Sequence, residues 1–465
     1  MRIRKMMVLL CALMLVLAAC SSGSNTNTVN NATNNGTTNN GASNNGAGNS
    51  TNTPANTDTG EEEVTGTPEM DFDMGGKTIK IVSWWDMTIG EDNPDNIAKK
   101  ANLEALMAKH NFKVEYIAID YGEYQQKVTA SLLAGEPIGD IVRLGKTYTV
   151  PTLVKQDLLW PIDEYTKNER AFNQNMTNNL YTYEGRGYGF TEDQANLVQG
   201  IFYNRTLLGQ LGIKSPQEFV NEDNWNWETF IQTAKDANKD TNNDGKLDTW
   251  GLANPSLLDQ ALYSNKTELT KGDKHNLDDP ALLESLNFVS RMATEQFARP
   301  TEGGDWTEPG QFFRQGNTLM YAGAMWEIGG LKPDMPDYDI GFVPFPKGPS
   351  ATEYYSYEGL LQALTIPKAV ENPEQLMYIW EKINDIESMY DYPGQASFES
   401  NFSNEDDINN AKMVQPNLLV LDHNTFPNLG YYDFLGELNA GTSVSTVVEK
   451  YKPVFQAAID EVYGK

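Results

Sequence analysis

The apolar residues between Thr78 and Lys155 switch repeatedly between two spacings, and this alternation limits the fold more than any other feature of the chain. Thr78-Ile79-Lys80-Ile81-Val82-Ser83-Trp84 reads as a strand. Ile97 to His110 reads as a helix with Ala, Leu and Met on one face. Phe112 to Ile119 is again strand-like, and Tyr121 to Ala134 is helical, with Val128, Leu132 and Leu133 apolar. Ile138-Gly139-Asp140-Ile141-Val142 returns as a strand, followed by a short helix from Val150 to Lys155. Strands and helices in this order predict βαβ units and a mostly parallel sheet, hence an α/β fold. A second α/β region is expected from about Gln194. Further helices are predicted over Trp227–Asn238, Ala281–Gln296, Pro373–Asn384 and Ser443–Tyr463, and Pro453 predicts a kink or break in the last. The sequence shows no internal repeat.

Composition removes several functions. With 64 acidic against 35 basic residues and a net charge of −29, the chain lacks the basic face that phosphate neutralisation needs, so no nucleic-acid partner is expected. Both cysteines, Cys11 and Cys20, fall in the first 20 residues, which excludes a disulfide, a Cys-ligated zinc or a thiol nucleophile from the body. His110, His275 and His423 are far apart and form no H-E-x-x-H. Neither G-x-S-x-G nor G-x-x-x-x-G-K-[ST] occurs.

The N-terminus reads as an address. Arg2, Arg4 and Lys5 precede an apolar run from Met6 to Ala19, too short to span a bilayer, as in a secretory signal over 1–19. From Ser21 to about Thr59 the chain is nearly all Asn, Thr, Gly, Ser and Ala, and cannot bury enough apolar surface to order itself. A tether over 20–76, with a reach on the order of 40 Å, is expected, and packed structure from near Lys77.

The body resembles a known family in the order of its motifs. Ile79 to Trp84 stands where that family opens with a strand and an aromatic. Leu133-Ala134-Gly135-Glu136-Pro137-Ile138-Gly139-Asp140-Ile141-Val142 is similar to its A-x-G-x-x-P-D-I-V, with Ile-Gly separating Pro from Asp. Leu158 to Asp163 is similar to L-x-P-L-D. Gly185 to Gly189, then Phe202-Tyr203-Asn204-Arg205, is like G-K-x-Y-G and Y-Y-N-K. Trp225 to Phe230, Phe312 to Trp326, Phe342 to Pro349 and Ile366-Pro367-Lys368 complete the series. These resemble the extracellular solute-binding proteins of sugar-type ABC transporters, the maltose-binding-like family, and Leu17-Ala18-Ala19-Cys20 resembles the bacterial lipobox. The resemblance implies a two-lobed periplasmic-binding-protein-like fold with a ligand cleft between lobes and crossing hinge strands. The body, 77–465, would consist of two discontinuous lobes. One takes about 77–192 plus a later segment, the other about 194–357 plus the C-terminal helices, with crossings near Thr191–Asn196 and Glu358–Leu364. A lipid on Cys20 would be its sole membrane attachment, outside the cell and in a Gram-positive envelope. The partners implied are a sugar or oligosaccharide and the membrane subunits of an ABC permease. The protein is expected to act as a monomer and not as an enzyme.

Nine Trp and 22 Tyr call for an explanation, and a sugar ring supplies one. Its flat C–H face stacks on an indole or phenol while polar groups at the edge hold the hydroxyls. Trp84 and Trp85 end a strand, where open α/β sheets place ligands, with Asp86 as a hydroxyl acceptor. Strand neighbours point opposite ways, so one of the two indoles is expected in the core. By resemblance Trp326 is the family's cleft tryptophan, with Glu327 beside it, and Tyr431 and Tyr432 fall near its late aromatic contact. Glu192 and Asp193, at the first crossing, are candidate polar readers. Arg143, just after a strand, is a candidate partner for an acidic sugar; the family often has an aromatic near there, and that departure leaves the ligand class open. A polysaccharide-active hydrolase or lyase, using a carboxylate pair, and a peptide-binding receptor remain as alternatives.

A metal is also expected. Asp240, Asn242, Asp244 and Asp248 occupy positions 1, 3, 5 and 9 of an EF-hand-like loop, with Gly245 at 6 and the Lys246 carbonyl at 7. Position 12 is Gly251 and not Glu, which points to a single structural Ca²⁺ and away from a sensor.

Overall fold

A computed structural model describes residues 67–464, apart from 92, 147–148, 168, 173–180, 192–197, 359–361, 387–388 and 393. The predicted alternation is present. Strand β1 (Lys77–Ser83) pairs in parallel with β2 (Phe112–Ala118), from Lys77 opposite Phe112 to Ser83 opposite Ala118. On its other side β1 pairs in parallel with β3 (Ile141–Gly145). Helices α1 (Pro94–His110) and α2 (Tyr121–Leu133) make the connections. Asn93 caps α1, its side chain accepting from Asn96 N, with Pro94 in the first turn where a missing N–H costs nothing.

The two faces of this sheet follow from the period-two pattern of β1. Ile79 and Ile81 lie in a core with Phe112, Ile141 and Leu376, Ile379 and Trp380 of the helix Pro373–Asn384. Val82 faces the other way, onto Val128 and Leu132 of α2, with Val142 and Leu144.

Strand β3 starts three residues later than the predicted run. Before it, Gly139 passes so close over β1 that a Cβ would stand 2.3 Å from Val82 Cγ2 and 2.9 Å from the Lys80 carbonyl. Asp140 then grips β1 from both sides of the chain: its N–H donates to Lys80 O, and its carboxylate accepts from Lys80 N. The Ile-Gly that departs from the family pattern is thus the segment that packs closely against β1. The short helix expected from Val150 to Lys155 opens with one wide turn, Thr149–Leu153, in which Val150 is extended (φ −120°, ψ 124°), and Val154 and Lys155 continue it as helix. Val150 precedes Pro151, whose ring disfavours helical backbone in its neighbour.

The second lobe has its own sheet. Its central strand, Gln199–Asn204, is antiparallel to both Ile340–Pro344 and Thr318–Ala324, and the latter pairs in parallel with Trp250–Leu252. The expectation of parallel pairing therefore holds only in part. Gln362–Thr365 runs against β3 in the first sheet, and Gln199–Asn204 against its two neighbours in the second. The crossings expected near Thr191–Asn196 and Glu358–Leu364 fall largely on residues 192–197 and 359–361, outside the described residues. The core of this lobe joins Phe202, Phe230, Phe288 and Phe342 to Phe434, Phe455 and Ile459 of the C-terminal helices.

Two further expectations change. The helix Val444–Tyr463 runs through Pro453 without a break. Pro453 lies on its exposed side, while Val447, Val448, Tyr451, Phe455 and Ile459 are buried along the other and hold the helix together. Packed structure also begins ten residues before Lys77. Thr67 N donates to Glu381 Oε1 at 2.7 Å, Glu69 accepts from Tyr378 at 2.9 Å, and Phe72 stacks on His110 at 4.0 Å. Among the described residues no helix is long and apolar enough to cross a membrane.

Candidate functional site

The candidate residues fall into three aromatic groups. The first lies at the end of β1. Trp84 is partly buried against the core under α2, in edge contact with Tyr124 (5.5 Å) and Tyr121 (5.8 Å). Trp85 is 41% exposed, so it is the indole that reaches solvent. Its face is not bare: the Arg143 guanidinium lies 4.4 Å from the ring centroid, with the side chain of Arg143 buried. Tyr124 fixes this corner, its hydroxyl bonded to the Val82 carbonyl near the end of β1 and the Arg143 carbonyl in the middle of β3. Burial raises that phenol well above its ordinary range. Asp86 turns back on its own loop, accepting from Thr88 N and Oγ1 at 2.9 and 2.6 Å. Those bonds hold its carboxyl below the usual range, the hydroxyl bond first.

The second group surrounds Trp326. The strand Thr318–Ala324 ends in a tight turn, Met325–Glu327, that buries Met325 and turns Trp326 outward, 55% exposed. Glu327 holds the turn, accepting from Ala324 N at 2.9 Å and from the Tyr321 hydroxyl. It therefore shapes the site from within its own turn. Burial, and secondarily the Glu327 charge, raise the Tyr321 hydroxyl. Tyr321 floors a groove of about 450 Å³ whose walls include Trp326, Arg314, Gln311 and a residue that sequence reasoning missed, Trp306, 76% exposed. The available signal was an indole in the polar, Gly-rich run Thr301-Glu302-Gly303-Gly304-Asp305-Trp306-Thr307, where no apolar neighbour could bury it.

The third group is at the start of the helix Tyr431–Asn439. Tyr431 stacks on the buried His423 (4.6 Å, 4° between planes) and donates to Asp259 Oδ1 at 2.7 Å. Burial and then Asp259 push its phenol well up. Tyr432 is 84% exposed. Among the described residues, no ring contact joins the three groups. Glu192, Asp193 and Cys20 lie outside the described residues. A separate cavity of about 560 Å³ is lined by Lys146, Val150 and Tyr183 of the first lobe and Lys266, Leu418 and Leu421 of the second. It contains none of the candidates.

The Asp/Asn loop joins the helix Trp227–Ala237 to the strand Trp250–Leu252. Asp240 accepts from Gly245 N at 2.8 Å, Asn242 from Asp244 N, and Asp244 from Lys246 N. Asp248 accepts from Thr241 N and Oγ1, which hold its carboxyl below the usual range. Among the described residues no three acidic, His or Cys side chains stand together as a metal-holding group. The donor set, all oxygen and at alternate positions, has the chemistry of a Ca²⁺ loop. In the structure its side-chain oxygens point to the loop's own N–H groups.

A family model described as bacterial extracellular solute-binding protein matches residues 92–384. An arabinooligosaccharide-binding protein of Bacillus subtilis is 23% identical over 243 residues, a match that spans 50% of this chain and 53% of that protein, about half of each. In fold the chain is similar to an ABC substrate-binding protein from Listeria monocytogenes solved in complex with cycloalternan (TM-score 0.58, 14% identity, covering 84% of this chain and 99% of that one). It is equally similar to the GacH receptor of Streptomyces glaucescens, solved unliganded and with acarbose (TM-score 0.58, 15% identity, 84% and 99% covered). These are two-lobed folds, as this one is.

Proposed function

Starting from a chain that belongs to the bacterial extracellular solute-binding proteins, we propose that it is the lipid-anchored receptor of an ABC importer, capturing a sugar or oligosaccharide outside the cell. The observation that carries this reading is Trp326, a large apolar face held in solvent by a turn that Glu327 and Tyr321 fix in place. An indole so presented, at the end of a sheet strand, suits the C–H face of a pyranose or furanose ring and needs no charge on the ligand. The B. subtilis relative and the Listeria and Streptomyces structures, by their names and ligands, support a carbohydrate over a peptide. A two-lobed fold supplies the mechanism. A ligand that touches both lobes stabilises the closed form over the open one, and a permease reads closure. No covalent step is required, and binding proteins are what this family contains.

In this reading Cys20 carries the lipid and 20–66 spaces the body from the membrane. The loop oxygens of Asp240, Asn242, Asp244 and Asp248, with the Lys246 carbonyl, hold one structural Ca²⁺ in the second lobe, away from the sugar. Incubating the purified body with a glycan panel tests the receptor against the hydrolase or lyase. Stoichiometric binding with the glycan recovered intact is expected; new reducing ends would establish an enzyme instead.

A further inference from the structure

Among the described residues, Trp85, Trp306 and Trp326 are the tryptophans most open to solvent, and two of these three line one groove. Single exposed apolar residues are ordinary on a protein surface; two indoles on one concavity are not. The groove, about 450 Å³, lies in the range of roughly 300–1,000 Å³ usual for small-molecule sites.

Trp306 is not on a loose loop. The carboxylate of Glu308, two residues on, is buried beneath it and accepts from Glu302 N at 2.9 Å and Gly304 N at 3.2 Å. Asp305 Oδ1 accepts from both Thr307 N and Thr307 Oγ1, and Gln311 Nε2 donates to Thr307 Oγ1 at 2.7 Å. The indole is thereby presented in a fixed place, as Trp326 is by Glu327. A platform ordered in advance loses little freedom when a ring settles on it.

The polar edge of the groove is Arg314. Its Nε donates to Asp334 at 2.8 Å, which sets the plane of the guanidinium. Gly310 and Gly330 flank it, and a Cβ at Gly310 would stand 3.0 Å from Arg314 Nη1. The glycines keep this group clear of side chains.

We propose that Trp306 and Trp326 are stacking platforms for two linked sugar rings, with Arg314 donating to hydroxyls at their edge, so that the second lobe selects an oligosaccharide over a single sugar. This rests on the receptor reading above. An oligosaccharide gains from both platforms at once, whereas a monosaccharide can use only one.

Calorimetry tests it with six probes: arabinose and α-1,5-arabinotriose, glucose and maltotriose, mannose and mannotriose. The wild-type protein should bind at least one trisaccharide ten or more times tighter than its monosaccharide. Trp306→Ala should weaken that trisaccharide at least tenfold and leave the monosaccharide within twofold. Trp306→Phe, which keeps a ring, should recover most of the loss. Because Trp306 is 76% exposed, melting should not change in either variant. Trisaccharide affinity within twofold of wild type in Trp306→Ala would overturn the second platform and leave the receptor intact. Equal losses for both sugars would put Trp306 at the first ring and overturn it too, as would a wild type that binds both lengths alike. A wild type that binds none of the six would remove the sugar-receptor reading, and the platform with it.

Discussion

The two lobes carry their aromatic residues differently. In the first, Trp84 rests on Tyr121 and Tyr124, and the face of Trp85 is already covered by the Arg143 guanidinium. In the second, Trp306 and Trp326 stand uncovered on either part of one groove. A ring arriving at the second lobe meets free apolar surface; at the first it must share or displace a cation. In the proposed receptor the contrast would give the lobes distinct tasks, stacking in the second and a charged, hydrogen-bonding wall in the first.

The largest effect that this contrast predicts is on binding. Trp326→Ala should cost about 1–3 kcal/mol of sugar affinity, roughly five- to 150-fold in Kd, at unchanged melting temperature. An equal or greater loss from Trp85→Ala would invert the division between the lobes. Next is the second lobe's loop. Calcium at a hundred times its Kd should stabilise the protein by about 2.7 kcal/mol, seen as a melting shift of several degrees between EDTA and excess Ca²⁺. Asp240→Ala and Asp244→Ala should abolish the shift and leave sugar affinity unchanged; no shift, with no calcium in elemental analysis, would end the metal assignment. A smaller change is expected from Arg143→Met, which keeps the packing and removes the cation above Trp85. It should alter the emission of Trp85 and cost about 0.5–1 kcal/mol of stability. Tyr432→Ala, at an 84% exposed position, should move stability by less than about 0.5 kcal/mol, and serves as the control for aromatic removal.

Local pattern made much of this architecture readable in advance. The strand and helix spacings of the first sheet were legible, and Trp227, Phe230, Ile231 and Ala234 marked the buried side of their helix. What escaped depends on distant residues. Nothing near Thr67 announces that it pairs with Glu381, or that Glu69 meets Lys109 and Tyr378. The antiparallel strands could not be read either, since residue spacing marks a strand and not its direction. Several of the tryptophans that suggested sugar are core residues: Trp225 is fully buried with its Nε1 on Pro344 O, and Trp380 packs on Phe190. Trp306 lies at neither a strand end nor a family motif, and its exposure is decided by a polar loop tied to Glu308.

The early start of packed structure has a mechanical consequence. The contacts that seat Thr67, Glu69 and Phe72 are to Glu381, Lys109, Tyr378 and His110, all in the first lobe. A pull on the chain from its N-terminal side therefore enters through that lobe and is borne by α1 and the helix Pro373–Asn384. With the anchor proposed above, the first lobe would be the handle by which the molecule is held, leaving the second free of that load.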